Sequence, residues 1–398
     1  MKENVLVVNS GSSSIKYQLV NPKTAEALCT GLIERIGEQH AKITHKPAND
    51  EFEWEGAIKN HGEGLKLMIQ MFTEHGPKLS EDSLIGVGHR VVQGGSVFAD
   101  SAVVDDDVLA KIKALSDLAP LHNPANAEGI EVARKLFANT VHVAVFDSQF
   151  FANLPASAKN YALNKVVADK YQIKRYGAHG TSHKFVGEEV KKLLEVSDEQ
   201  AKSFKQIVLH LGNGASASAQ LGSKAIDTSM GLTPLQGLVM GTRTGDIDPA
   251  AVFHLARVAN MQIDEIDTLL NKKSGVMGIA GVSDMRDLHA LVEKGDENAQ
   301  LALDVYIHRL VFYVGAYAAL LGGLDALTFT AGIGENDAKI RKLVCDRLGI
   351  FGVQIDDALN NERSKNGRIV STADSKVKVI VLPTNEELAI AKEVEKLA

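Results

Sequence analysis

The chain has 398 residues, of which 45% are hydrophobic and 23% charged, and its formal net charge is −7. That profile is globular and long enough for two or three domains, and its acidic balance excludes a chain-wide basic field for nucleic acid. Two cysteines, Cys29 and Cys345, lie far apart without CxxC spacing; they exclude a disulfide framework or zinc ribbon and fit a reducing cytoplasm.

Met1-Lys2-Glu3-Asn4 runs directly into an apolar strand with no signal-peptide organisation. Strands are expected at 5–8, 14–20, 85–92, 141–146, 207–211, 215–221, 326–330 and 377–382. Helical periodicity falls at 61–75, 105–116, 124–137, 181–195, 249–259, 263–271, 297–322, 337–348 and 385–396. Strands alternating with helices predict an α/β fold, and a hairpin opening each half argues against a purely parallel sheet. The boundary is expected near Phe151. Asp248-Pro249 predicts an N-cap followed by proline at N1, and Thr384 with Glu387 predicts a capping box on the last helix. The apolar run Leu310 to Leu324 is shorter than the roughly 20 residues of a membrane span. Its all-round apolarity predicts a central buried helix.

The first hairpin turn, Asn9-Ser10-Gly11-Ser12-Ser13-Ser14 followed by Lys16, is rich in short donors and carries one cation. Such a turn is suited to a phosphate, although a serine-rich hairpin alone is an ordinary structural feature. A second copy of the pattern, His210-Leu211-Gly212-Asn213-Gly214, lies about two hundred residues further on and suggests two lobes of similar build. GxxxxGK[ST] and a post-strand GxGxxG are both missing, which disfavours a P-loop or Rossmann site. Asp147 ends an apolar strand where α/β ligands bind; it reads equally as a magnesium ligand or as a cap for the turn at Ser148. Arg90 and Arg243 each sit in or beside a glycine-bracketed segment, placed to fork an anion or to form a surface ion pair. His179 and His183 are four apart, but Gly180 argues against one regular helix holding both; His179 reads better as a donor to developing charge than as a zinc ligand. His122 faces a ligand or fixes its turn, and residues 330–336 read as a glycine-rich connection opening a helix at Asp337.

Taken together, Asn9 to Lys16, His89-Arg90-Val91-Val92-x-Gly94-Gly95, His122-Asn123-Pro124, Tyr176 to His183, His210 to Gly214, Met230 through Arg243 and Gly332 to Asn336 resemble the acetokinase (acetate kinase) family. The likeness spans nearly the whole chain. It implies an α/β fold of two duplicated ribonuclease-H-like (actin/sugar-kinase-like) lobes with a nucleotide cleft between them. The N-terminal lobe would comprise 1–151 plus a returning helix at 384–398, and the nucleotide-binding lobe 152–383. It implies reversible, direct in-line transfer of the terminal phosphoryl of ATP to acetate, giving acetyl phosphate and ADP. Mg²⁺ would serve the reaction, with Mn²⁺ as an alternative, in a cytoplasmic homodimer with no nucleic-acid or membrane partner.

Carried onto this sequence, the resemblance puts Arg90 and Arg243 on the acid and the moving phosphoryl group, with His179 stabilising its charge. Asn9, Ser12 and Lys16 would line the phosphate path, and Asn9, Asp147 and Glu386 would hold the metal. His210, Asn213 and Gly214 would touch nucleotide phosphates, and Asp284, Arg286, Gly332, Ile333 and Asn336 would surround adenosine. Val92, Leu121 and Pro234 would wall the acetate methyl, with His122 near the acetate. Ala178 stands where some members have phenylalanine, which leaves room for a longer acid.

Overall fold

Val5 to Val8 are each at most 1% exposed, so β1 (Asn4–Ser10) is covered on both faces. It turns into the antiparallel β2 (Ser14–Val20), with Asn9 opposite Lys16. The meander continues through β3 (Ala27–Glu34), β4 (Ala41–Pro47) and β5 (Phe52–Gly56). On its other side β1 pairs in parallel with β6 (Leu84–Val91). The two-residue β7 (Ala102–Val103) edges β8 (Val141–Phe146), and β8 runs parallel to β6 with Arg90 opposite Val145.

This computed structural model describes residues 2–120 and 122–398, so the sequence-expected contact at Leu121 lies outside the described residues. The chain divides into two units, one running to Ala152 and closing with Asn385–Ala398, the other spanning Asn153–Thr384. The C-terminal helix Glu386–Leu397 packs on β1, β6 and β8 of the first unit. A Cβ at Gly88 would come within 2.6 Å of Ile390 Cγ2 and 2.9 Å of Val394 Cγ2, so glycine lets this helix approach β6.

The second unit repeats the plan. Its strands are β9 (Lys205–Leu211), β10 (Ala215–Leu221), β11 (Lys224–Thr228), β12 (Ala326–Thr330), β13 (Arg368–Ile369) and β14 (Lys378–Val381). The order β11-β10-β9-β12-β14 matches β3-β2-β1-β6-β8: a three-stranded meander whose first strand pairs in parallel with a fourth strand, which in turn pairs in parallel with a fifth. This is the ribonuclease-H-like arrangement, present twice. The hairpins β1–β2 and β9–β10 hold corresponding places, as the repeated turn motif suggests.

Several local expectations are corrected. The last helix is capped by Asn385, whose side chain accepts from Leu388 N at 2.9 Å, and not by Thr384. The Thr384 hydroxyl instead lies 2.8 Å from that of Ser182. The helix Ala250–Val258 starts after a helical Pro249, although Asp248 still caps it by accepting from Ala250 N. Residues 331–336 form a short helix of their own rather than a loop. The helix Glu297–Leu321 is not buried all round: Tyr306, Leu310, Val314 and Tyr317 face the core, while Phe312 and Leu320 are exposed. Among the described residues, no helix is long and apolar enough to cross a membrane.

Candidate functional site

In the first unit the chemistry gathers at the C-terminal ends of β6 and β8. Arg90 on β6 and Asp147 just past β8 share one face of the sheet, because Arg90 is opposite Val145 and side chains alternate. The guanidinium forks the carboxylate: Nε donates to Oδ1 at 3.0 Å and Nη2 to Oδ2 at 2.6 Å. Nη1 reaches Asn9 Oδ1 at 3.5 Å. Asp147 is 1% exposed, so this is a buried pair with one edge of the arginine turned elsewhere. Glu386, in the first turn of the C-terminal helix, lies 3.9 Å from Arg90 Nε. Burial, with repulsion from Asp147 and Glu387 against the pull of Arg90 and Lys16, pushes the Glu386 carboxyl up to about 7. Lys16 is ion-paired with Glu387.

The turn itself is braced. His61 Nε2 lies 2.6 Å from the Gly11 carbonyl, and Asn126 Nδ2 donates to the Ser10 carbonyl at 2.6 Å. Ser12 is exposed at its tip. Val92 N donates to Asn126 Oδ1, and His122 precedes the helix Asn123–Leu136. The structure thus brings Asn9, Arg90, Asp147 and Glu386 together, and it gives Lys16 a carboxylate partner that the sequence did not suggest.

The second unit carries a cavity of about 800 Å³. Asp284, Arg286, Gly332, Ile333 and Asn336 line it, with Asn213 on the same wall. Asp284 caps the helix Met285–Glu293 and is forked by Arg286, whose side chain and backbone N–H hold its carboxyl down at about 2. Sequence reasoning missed His289, which bonds Asp337 at 2.8 Å, and Lys339 and Arg363 on the same wall. His289 and Asp337 are 48 residues apart, and Arg363 sits in a polar loop, so neither carried a local signal.

His210 on β9 stacks on His179, ring centroids 4.2 Å apart. His179 is held at φ 59°, a left-handed conformation that a non-glycine residue adopts at a cost, as the N-cap of the helix Gly180–Leu193. His183 belongs to the helix proper, so the two histidines do not share one helical face. Gly214 lies beside both His179 and Arg243: a Cβ there would be 3.7 Å from His179 Nε2 and 3.6 Å from Arg243 Nη1. Arg243 is half-buried, and its Nη1 donates to the Pro234 carbonyl at 3.3 Å and approaches the Met240 sulfur at 3.8 Å. Among the described residues no carboxylate forms an ion pair with it, and burial alone pulls the guanidinium below its ordinary value. Ala178 lies in the apolar core with Met230, Leu238 and Met240.

A duplicated ribonuclease-H-like sheet with a nucleoside-sized cavity on its second copy places the chain among phosphotransferases of the actin and sugar-kinase type. The acetokinase family profile matches residues 4–392. An acetate kinase of Leifsonia xyli subsp. xyli is 53% identical over 98% of this chain and 97% of its own, and one of Streptomyces coelicolor is 49% identical over 97% and 95%. Among solved structures, an acetate kinase of Porphyromonas gingivalis superposes with a TM-score of 0.94 at 37% identity, covering 99% of both chains. A propionate kinase of Francisella tularensis subsp. tularensis gives 0.90 at 40% identity, covering 98% of both. The chain belongs to the acetokinase family.

Proposed function

We propose that this enzyme transfers the terminal phosphoryl group of ATP reversibly to acetate, giving acetyl phosphate and ADP. The observation that supports this most is Arg243: a half-buried guanidinium beside His179, with a carbonyl and a thioether but, among the described residues, no carboxylate to balance it. A cation desolvated in that way is matched by an anionic ligand. The cavity of the same unit takes adenosine, with Asn213, Gly214 and His210 toward its phosphates. Arg90 offers its Nη1 edge to the acceptor carboxylate, with His122 and Val92 near that acid.

Phosphoryl transfer asks mainly for positioning and charge stabilisation. Acetate and phosphate are both anions, so the two arginines offset their repulsion, and His179 donates to the group in flight. Asn9, Asp147 and Glu386 fit a divalent ion: their oxygens are the hard donors Mg²⁺ prefers, and the raised Glu386 carboxyl marks two crowded carboxylates that a cation would relieve. When bound, Mg²⁺, or Mn²⁺ in its place, would neutralise charge on the phosphate oxygens. Transfer is direct and in line, so a single turnover on chiral phosphate inverts configuration at phosphorus; retention would require a phosphoenzyme.

The substrate is tested by trapping acyl phosphate as hydroxamate with acids of two, three and four carbons. Acetate is expected to lead. Ala178, with no aromatic bulk, leaves propionate as a weaker substrate, because one methylene changes kcat/KM by only about 1–3 kcal/mol. ADP formation that ignores all three acids would sink the reading and favour an ATP-switched binding protein. We also place the enzyme in the cytoplasm as a homodimer. Phe312 and Leu320 on one helix, and Phe253, Val258 and Ile263 on an earlier stretch of the second unit, supply exposed apolar surface for it. A monomer mass in sedimentation at micromolar concentration would overturn that assignment.

A further inference from the structure

Behind His179 runs a chain of hydrogen bonds that the transfer reaction itself does not explain. Its Nδ1 lies 2.9 Å from the Ser216 hydroxyl, which in turn lies 2.7 Å from His183 Nε2. His183 Nδ1 lies 2.8 Å from the Ser218 hydroxyl. Gln220 Nε2 then donates to Ser218 Oγ at 3.0 Å and to the His183 backbone carbonyl at 3.0 Å. Ser216, Ser218 and His183 are 0% exposed and Gln220 is 1% exposed, so the chain is shielded from bulk solvent.

The direction of the chain follows from counting protons. A backbone carbonyl only accepts, which fixes the NH₂ end of the Gln220 amide toward it and therefore toward Ser218 as well. Ser218 thus accepts one bond and has a single proton to place. Given to His183 Nδ1, that proton is used; in the opposite polarity it is buried without a partner, which is costly. Burial keeps His183 neutral, well below the ordinary histidine range. With Nδ1 accepting, its one proton is on Nε2 and is donated to Ser216. Ser216 then spends its own proton on His179 Nδ1.

We infer that Gln220, Ser218, His183 and Ser216 are positioning residues that hold His179 as the Nε2–H tautomer, aimed at the space that Gly214 and Arg243 border. Only that tautomer presents a donor there; the other would turn a lone pair toward an anionic oxygen. This rests on the proposed role of His179 in phosphoryl transfer. It also accounts for the strained φ of His179: the left-handed N-cap position is tied from behind to a rigid strand. The sequence hid the device, because Ser216, Ser218 and Gln220 alternate along β10 like ordinary strand polars.

The test is ¹⁵N-histidine labelling of the full chain, which contains 13 histidines, with His179 assigned by the signals lost in His179→Gln. At about pH 8, above the ordinary histidine pKa, the wild-type spectrum is expected to show His179 protonated on Nε2 and bare on Nδ1. Ser216→Ala removes the donor behind the ring. It should mix the tautomers and lower kcat by roughly tenfold, a fraction of the 10²–10³ expected for losing a whole donor, with KM for ATP little changed. A wild-type proton on Nδ1, or a Ser216→Ala spectrum that keeps the pure Nε2–H form, overturns the inference. The spectrum needs no substrate, so it decides the tautomer independently. Failure of the kinase reading would appear separately, as wild-type protein that forms no acetyl phosphate.

Discussion

Arg243→Ala is expected to lower kcat by roughly 10²–10³ while ADP binds almost as before and thermal stability hardly changes. The three parts have separate physical causes. The guanidinium sits beside His179 and Gly214, where charge on a transferring phosphoryl group would be met, so its loss falls on the transition state. The cavity we propose for the nucleoside is lined by other residues, Asp284, Arg286, Ile333 and Asn336 among them, so nucleotide affinity should stand apart from it. Stability is spared because no carboxylate pairs with Arg243 among the described residues, and burial already works against its charge. Steady-state kinetics, ADP titration calorimetry and a melting curve read the three parts independently. Near-normal turnover would remove Arg243 from the mechanism. A large loss of Tm would show that its bonds to Pro234 and Met240 hold the fold.

How far the sequence foretells such a site depends on the range over which its signals act. The helix His61–His75 and the strands β2, β8, β10 and β12 match their hydrophobic patterns because period and burial agree locally. β3, β4, β5 and β11 escaped the sequence reading. Phe52-Glu53-Trp54-Glu55-Gly56 is an exposed edge with little apolar signal, and Ala41 to Pro47 mixes its buried Ile43 and His45 with lysines. Glycines at 275 and 278 interrupt the pattern of the short helix Gly275–Ala280; the helix Met285–Glu293, which carries Arg286 on the cavity wall, escaped the sequence reading as well. Turn chemistry, by contrast, was legible: the two hairpins could be matched by eye. Pairings across the sheet were not. Arg90 and Asp147 were each picked out, but their fork depends on β6 and β8 lying side by side across 57 residues. Lys16 read as a free cation near a phosphate, and only the returning helix, with Glu387 on it, shows otherwise. The capping residue moved by one position because Asn385 competes with Thr384, and both are good N-caps.

That fork makes Arg90 the arginine whose loss damages fold and activity together. Arg90→Ala would leave Asp147, 1% exposed, without its cation, and would remove the main attraction that opposes the rise of the Glu386 carboxyl. Removing one partner of a buried pair costs roughly 3–5 kcal/mol, and the partial exposure of Arg90 favours the lower end, so Tm should fall by about 5–10 °C. Activity should fall at the acceptor: KM for acetate rises and kcat drops by at least about tenfold, because the Nη1 edge we propose for the acid is gone and the carboxylates beside it are crowded. Arg90→Lys separates the two effects. A lysine restores one positive charge near Asp147 and so recovers much of the Tm, but a single ammonium cannot fork Asp147 and still serve the acid, so KM for acetate stays high. Melting curves and acetate-dependent kinetics on both variants test the argument. If Arg90→Lys recovers acetate affinity along with stability, the planar fork is not what the acceptor uses, and Arg90 acts there as a charge alone.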